Sequence, residues 1–384
     1  MSEPGALPLA GITVVEIGTS IAGPTAGLIL AELGADVLKI EPRAGDDARR
    51  WGPPFAAGAS TAFNAFNRNK RSVVVDLKDE KQRDALKSVI QQRADIVLQN
   101  LRPGVVDALG VGATALMAEK PSLIYCNIGA FGAVGPMRTR NGYDPLMQAF
   151  SGIMSITGEE GRPPVRVGPS IVDQGAGMWA VIGILSALHR RHLTGEGTLV
   201  DTSLYEVGLH WVMGQLSSFG ATGRSPGKMG SENAGMAPYK AFETRDGWLV
   251  IAAGNDGLFR KLSEVLGRAD WAEDDRFRQN PDRVTNRDAL NALVADTVAP
   301  LSRADLIERL TAAGVPCAPV LELDEVVKEP QFEALGIMQD TPNGELSLIG
   351  LPVSFNGSRP PLRRGPPSLG EATAEVLGLP EEAI

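Results

Sequence analysis

The sequence predicts an α/β protein with a mostly parallel sheet, helices on both faces and a second, smaller domain. Three observations predict it. Short β-branched runs alternate with helical segments through the first half of the chain. A length of 384 residues exceeds one ordinary core. A Gly/Ser-rich stretch followed by a hairpin signal marks a separate folding unit.

The elements follow in order. Ile12–Ile17 is a short apolar run that reads as a strand. Pro24 stands where a first helical residue would, ahead of a helix over Thr25–Leu33 that ends at Gly34. Strands at Val37–Ile40 and Val73–Leu77, a charged helix at Glu80–Arg93, and strands at Ile96–Leu98 and Leu123–Asn127 complete the series. A strongly apolar helix over Ile171–His192 carries Gly175, Ala176 and Gly177 in its first turns, where small residues admit another backbone or a ligand. Tyr239–Glu243 and Trp248–Ala252 flank Arg245-Asp246-Gly247 as a hairpin, and helical segments fill most of Asp256–Ala313. The expected organisation is a large domain over 1–216, a linker over 217–235, a small α+β domain over 236–325, and a return to the large domain over 326–384.

Composition narrows the function classes. A net charge of −9 and a pI near 5.1 argue against general nucleic-acid binding, though not against a local basic pocket. Cys126 and Cys317 are far apart and read as buried thiols of a reducing compartment. His189 and His192 share a helix face, but no Cys or carboxylate cluster joins them, so no metal site is expected. Met1 to Gly11 carries no Lys or Arg, and the uncharged apolar stretch Gly175–Leu188 is too short to span a bilayer. A cytoplasmic or organelle-matrix protein without membrane or nucleic-acid partners is expected.

Three features could carry chemistry. The loop Gly18-Thr19-Ser20-Ile21-Ala22-Gly23-Pro24 follows the first strand, with Glu41 ending the second about twenty residues on. That arrangement suits either a plain turn or a dinucleotide site, but Ser20 replaces the glycine that lets backbone approach a pyrophosphate. Basic residues cluster at Arg43, Arg49-Arg50, Arg68, Lys70-Arg71 and Arg102, where strand ends of a doubly wound sheet gather anionic ligands. Each taken singly reads as ordinary solvated surface, and only their clustering points to a ligand. Asp173 opens the apolar helix, as a cap or as a reactive carboxylate. Neither a G-x-S-x-G elbow, a P-loop nor a catalytic Cys/His arrangement occurs.

The chain resembles the class III CoA-transferase family, the formyl-CoA transferase type, over nearly its whole length. The matching pieces are Ala22-Gly23-Pro24, the run from Leu33 to Glu41, Asn69-Lys70-Arg71-Ser72, and Asn100-Leu101-Arg102-Pro103-Gly104. They continue with Gly142-Tyr143-Asp144, Val165-Arg166-Val167-Gly168 followed by Asp173, Pro238-Tyr239, Asp246-Gly247, Gly254-Asn255 and Gly314-Val315-Pro316. Each piece is weak, but their order and spacing are specific.

The resemblance implies a large Rossmann-like doubly wound domain plus a small domain, in an interlocked homodimer. It implies Asp173 as nucleophile and a coenzyme A thioester as substrate rather than a bound cofactor. CoA contacts are implied at Ile21, Ala22, Arg43, Lys70, Arg71, Asn100, Leu101, Arg102, Asn141, Gly142, Tyr143 and Asp144. Gly254 and Asn255 belong to a loop whose N–H groups would face an oxyanion; the loop also reads as a plain hairpin-to-helix turn. The loop Ala252-Ala253-Gly254-Asn255-Asp256 lacks the glycine run of formyl-CoA members and resembles members that move CoA from succinyl-CoA to a small carboxylic acid. Arg138, Arg140 and Arg166 are candidates for reading a second carboxylate. Two alternatives stand beside the transferase: an acyl-CoA racemase or epimerase of the same superfamily, and an NAD-binding or non-catalytic dinucleotide-domain protein.

Overall fold

The computed structural model describes residues 7–378; the first six residues of the opening segment without Lys or Arg lie outside them. The chain divides into two compact units. One comprises residues up to 153, 166–224 and those from 335 onward; the other comprises 154–165 and 225–334.

The larger unit is built on six parallel strands: β1 (Thr13–Ile17), β2 (Asp36–Glu41), β3 (Arg71–Val74), β4 (Ile96–Gln99), β5 (Ile124–Gly129) and β6 (Leu199–Ser203). Their order is β3-β2-β1-β4-β5-β6, with every neighbouring pair parallel. The chain thus winds outward from β1 in one direction, then returns to its other side, as in a doubly wound sheet. Five strands answer to β-branched runs in the sequence. β6 does not, because Leu-Val-Asp-Thr-Ser is too polar to stand out from the loops around it.

Val14 and Val15 of β1, and Ile96 and Val97 of β4, are fully buried, so both faces of the sheet centre are covered. On one face Leu86, Val89 and Ile90 of the Glu80–Arg93 helix pack with Val15, Leu38, Val97 and Tyr125. Burying each such aliphatic side chain stabilises the unit by about 1.5–3 kcal/mol. Helix Ala22–Glu32 lies against helix Ile171–Thr194 so closely that a Cβ on Gly177 would stand 2.6 Å from Thr25 Cβ. A Cβ on Gly175 would stand 2.8 Å from Val207, on helix Leu204–Trp211. The small residues of this helix therefore admit neighbouring helices.

The Ile171–Thr194 helix has 24 residues and is apolar enough, by length and composition, to cross a membrane. This corrects the expectation from Gly175–Leu188 alone, because the helix continues past both ends of that stretch. In the fold Val172, Ala176, Ala180 and Ile184 are buried, while Met178, Ile182, Leu185 and Leu193 are exposed.

The smaller unit carries a three-stranded antiparallel sheet of Tyr239–Thr244, Gly247–Ala252 and Cys317–Pro319, with the first two joined by the Arg245-Asp246 turn. Phe242, Leu249, Phe259, Trp271, Leu290 and Leu306 form its core. Residues 217–222, read as the start of a linker, belong to the helix Met213–Thr222. Met213, Leu216 and Phe219 recur at helical spacing there, and Gly223, at φ 68°, closes the helix.

Candidate active site

The loops leaving β1 and β4 meet where the strand order reverses, and one side chain stitches them together. Asn100 Oδ1 accepts the Thr19 N–H at 2.9 Å, and Asn100 Nδ2 donates to the Thr19 carbonyl at 2.9 Å. A Cβ on Gly23 would stand 3.0 Å from the Asn100 amide, so glycine leaves room for the stitch. Ser20 adopts φ 68°, a left-handed conformation that costs a non-glycine residue about 1–2 kcal/mol. Its N–H donates to Asp46 Oδ1 at 3.1 Å, so the amide a pyrophosphate would need already serves a carboxylate.

Glu41, the candidate ribose acid, is equally committed. It accepts two bonds from Arg49 at 2.8 and 2.7 Å, the Ser72 hydroxyl at 2.6 Å and the Asp46 N–H at 2.9 Å. Burial would raise its pKa, but Arg49, Lys39 and the hydroxyl outweigh burial and hold it at about 2. These two findings speak against dinucleotide binding at this loop.

Lys70 differs from its expected role. It is fully buried, paired with Glu16 at 2.8 Å, and donates to the Pro24 carbonyl at 2.8 Å and Asn67 Oδ1 at 2.9 Å. Burial, joined by the nearby Lys39 charge, lowers its pKa to about 8 against the opposing pull of Glu16. Lys39, on β2, reaches Glu16, the Gly18 carbonyl and Asp46 at 2.9–3.2 Å. A buried charge network therefore supports the β1 loop from beneath, and Lys70 is a strut rather than a phosphate contact. Arg71 is engaged by Asp36 at 3.2 Å and Glu375 at 2.6 Å, and Arg43 is exposed on the loop after β2. None of the three lines the cleft described next.

That cleft, of about 480 Å³, opens at the switch point. The stitched loops contribute Ile21, Ala22, Asn100, Leu101 and Arg102; the chain leading into helix Asp144–Phe150 contributes Arg140, Asn141, Gly142, Tyr143 and Asp144. Asp173 enters from the first turn of the Ile171–Thr194 helix. Trp51, Ser170 and Leu204 also line it and carried no sequence signal. The Arg140 guanidinium lies 5.7 Å over the Phe131 ring. Arg166 turns back to donate to the Gly168 carbonyl at 2.6 Å, and Arg138 lines a neighbouring hollow.

Three carboxylates line the cleft. Asp47 is engaged by Arg50. Asp144 is buried and plays the capping role that the sequence offers to Asp173: its Oδ2 accepts the N–H groups of Val172 at 2.8 Å and Asp173 at 3.2 Å. Gln148 donates to Asp144 Oδ1 at 2.6 Å and accepts the Val167 N–H at 2.8 Å. Asp173 is the third. Its pKa is raised to about 7, first by burial and then by the Asp144 charge.

Gly254 and Asn255 lie in the smaller unit, in a tightly held turn. Ala252 and Ala253 donate their N–H groups to Pro316 and Pro238, each at 3.0 Å. Asn255 Oδ1 caps helix Asp256–Val265 by accepting the Leu258 N–H at 2.9 Å, and Asp256 pairs with the fully buried Arg283 at 2.8 Å. The Asn255 side chain thus serves the helix.

Comparisons with known proteins agree along the chain. A sequence model of CoA-transferase family III matches residues 9–373. A succinate–glutarate CoA-transferase of Agrobacterium fabrum is 36% identical over 380 residues, covering 96% of this chain and 95% of that one. An acetyl-CoA:oxalate CoA-transferase of Acetobacter aceti is 37% identical over 372 residues, covering 96% and 95%. The solved structure of a CAIB/BAIF family protein from Brucella suis matches with a TM-score of 0.88 and 38% identity, covering 97% of this chain and 99% of that one.

Proposed function

We propose, for a chain that belongs to CoA-transferase family III, that this transferase moves CoA from succinyl-CoA to a small carboxylic or dicarboxylic acid, with Asp173 as its nucleophile. The observation that carries the reading is the half-buried Asp173 carboxylate. It lines a cleft at the sheet's switch point, and the other two carboxylates there are engaged elsewhere.

The chemistry suits such a group. An Asp173 oxygen attacks the thioester carbonyl, the C–S bond breaks, and a mixed anhydride and CoA thiolate result. The thiolate then attacks the Asp173 carbonyl carbon, releasing the donor acid and leaving an aspartyl–CoA thioester. The acceptor carboxylate displaces the thiolate to give a second anhydride. Attack of the thiolate on the acceptor's acyl carbon yields the new acyl-CoA and frees Asp173. No net proton is consumed, so the site needs a nucleophile and the exclusion of water rather than a strong general base. Ile21, Ala22 and Asn100–Arg102 would hold CoA, with Arg102 and Arg140 as cations within reach of its phosphates.

Short dicarboxylates are the proposed acceptor class, since relatives at 36–37% identity are named for glutarate and oxalate. A homodimer is proposed as the working form, because Met178, Trp179, Ile182 and Leu185 expose an apolar face that a second copy would cover. The deciding experiment incubates the enzyme with succinyl-CoA and a panel of mono- and dicarboxylic acids, reading new thioesters by mass spectrometry. New thioesters confined to short dicarboxylates would support the reading. No new thioester from succinyl-CoA with any acid would end it.

A further inference from the structure

We propose that Gln148 is a positioning residue for the transfer reaction, its one side-chain amide tying Asp144 to the backbone ahead of the Asp173 helix and so fixing where the nucleophile stands. The inference rests on the reading of Asp173 as nucleophile.

Gln148 is fully buried, one helical turn after Asp144 on helix Asp144–Phe150. Both ends of its amide are engaged. Nε2 donates to Asp144 Oδ1 at 2.6 Å and approaches the Val167 carbonyl at 3.5 Å; Oε1 accepts the Val167 N–H at 2.8 Å. Asp144 Oδ2, on the far side of the same carboxylate, accepts the N–H groups of Val172 and Asp173. One continuous chain of bonds therefore runs from the Val167 backbone through Gln148 and Asp144 to the backbone of Asp173 itself.

The helix needs this support. Its N-cap residue, Ser170, makes no side-chain capping bond, so its first N–H groups depend on a carboxylate borrowed from another helix. A borrowed cap holds a position only if it is itself held, and Gln148 is the side chain that stops Asp144 rotating away. Losing either partner would leave a buried polar group unpaired, so the amide holds Asp144 and Val167 together. Because a nucleophile displaced by about 1 Å can lose up to ~10²-fold in rate, the loss should appear in kcat. The β1 and β4 loops, which supply Ile21, Ala22 and Asn100–Arg102 to the cleft, are stitched separately by Asn100, so KM for acyl-CoA should stay within about twofold.

The test uses two variants. Gln148→Met removes donor and acceptor at similar volume. Gln148→Glu keeps the shape and the acceptor for Val167, but places an oxygen against Asp144. Active sites are counted by trapping the acyl-enzyme with hydroxylamine, and rates are expressed per trapped site, so partly misfolded protein does not enter the result. The expected outcome is a hydroxamate still formed at Asp173 in both variants, a per-site kcat lowered by at least about tenfold, and faster amide hydrogen exchange at residues 167–174 than in wild type. If one variant does not fold, the other decides. Wild-type kcat and exchange in a folded variant would overturn the proposal while leaving Asp173 as nucleophile. Absence of a hydroxamate at Asp173 in the wild type would overturn both.

Discussion

Asp144 Oδ2 accepts the backbone N–H of Asp173 at 3.2 Å, so one carboxylate caps the helix on which the other stands. The cap that positions Asp173 thus also sets a negative charge beside it. A helix N-terminus by itself favours an ionised carboxylate. Here burial and then the Asp144 charge prevail, raising the Asp173 pKa to about 7.

Activity should follow that ionisation. Only the carboxylate attacks, so kcat/KM should rise roughly tenfold per pH unit below 7 and level off above it. Asp144→Asn keeps an acceptor for the two N–H groups and removes the second cause, so its inflection should move to lower pH. Profiles measured between about pH 5 and 9 with succinyl-CoA and a dicarboxylate check this. A flat wild-type profile would contradict it.

Asp173→Asn should lose transfer by at least about 10³-fold while gaining stability. The folded pKa near 7 lies above the reference value of 3.8. Between those values the folded state binds more protons than the unfolded one, so this group's contribution to stability falls as pH rises through that window. Above pH 7 the penalty is complete, on the order of a few kcal/mol. The variant should therefore melt higher than wild type at pH 8 and show a smaller gain at pH 5, by calorimetry.

Two cations read alike in sequence should part in experiment. Arg102→Ala should weaken CoA binding about tenfold and flatten its salt dependence, since Arg102 is exposed in the cleft. Lys70→Met should instead lower the melting temperature by leaving Glu16 without one of its two buried partners, and should leave the salt dependence of CoA binding unchanged. Calorimetric titration at two salt concentrations separates the cases. NAD should produce no thermal shift.

The apolar surface of helix Ile171–Thr194, continued by Trp211, Met213, Leu216 and Phe219, should be covered by a second copy. Light scattering should give a dimer that persists on dilution. Mixed tagged and untagged protein should form almost no heterodimer if the chains interlock. Rapid exchange under native conditions would exclude interlocking.

Tyr143 should distinguish transfer from epimerisation. Moving a proton at the carbon beside a thioester requires a base on each face, and racemases of the superfamily place a histidine in the Gly-His-Asp segment. This chain has Gly142-Tyr143-Asp144, with Tyr143 exposed in the cleft. Incubating a 2-methylacyl-CoA in heavy water should give no α-deuterium on the turnover timescale. Rapid exchange without an acceptor acid would favour the racemase.

The sequence by itself determined the elements whose signals are local. The β-branched runs mark β1 to β5, and Glu80–Arg93 is helical as its pattern indicates. The order of short motifs named the family, which placed Asp173 and the two cleft loops among the candidates. Even Gln148 left a trace, since its spacing from Asp144 is that of a helical i,i+4 pair. Tertiary structure alone decided which charged residues are available. Arg102, Lys70 and Glu41 all sit near strand ends in the chain, yet Arg102 is exposed in the cleft while Lys70 and Glu41 are sealed beneath the β1 loop with buried partners. Charge belongs to a residue, but its availability depends on what is packed over it. In this protein those partners come from other elements of the fold, distant in the chain: Glu16 for Lys70, Ser72 for Glu41, and Asp144 for the helix that carries Asp173.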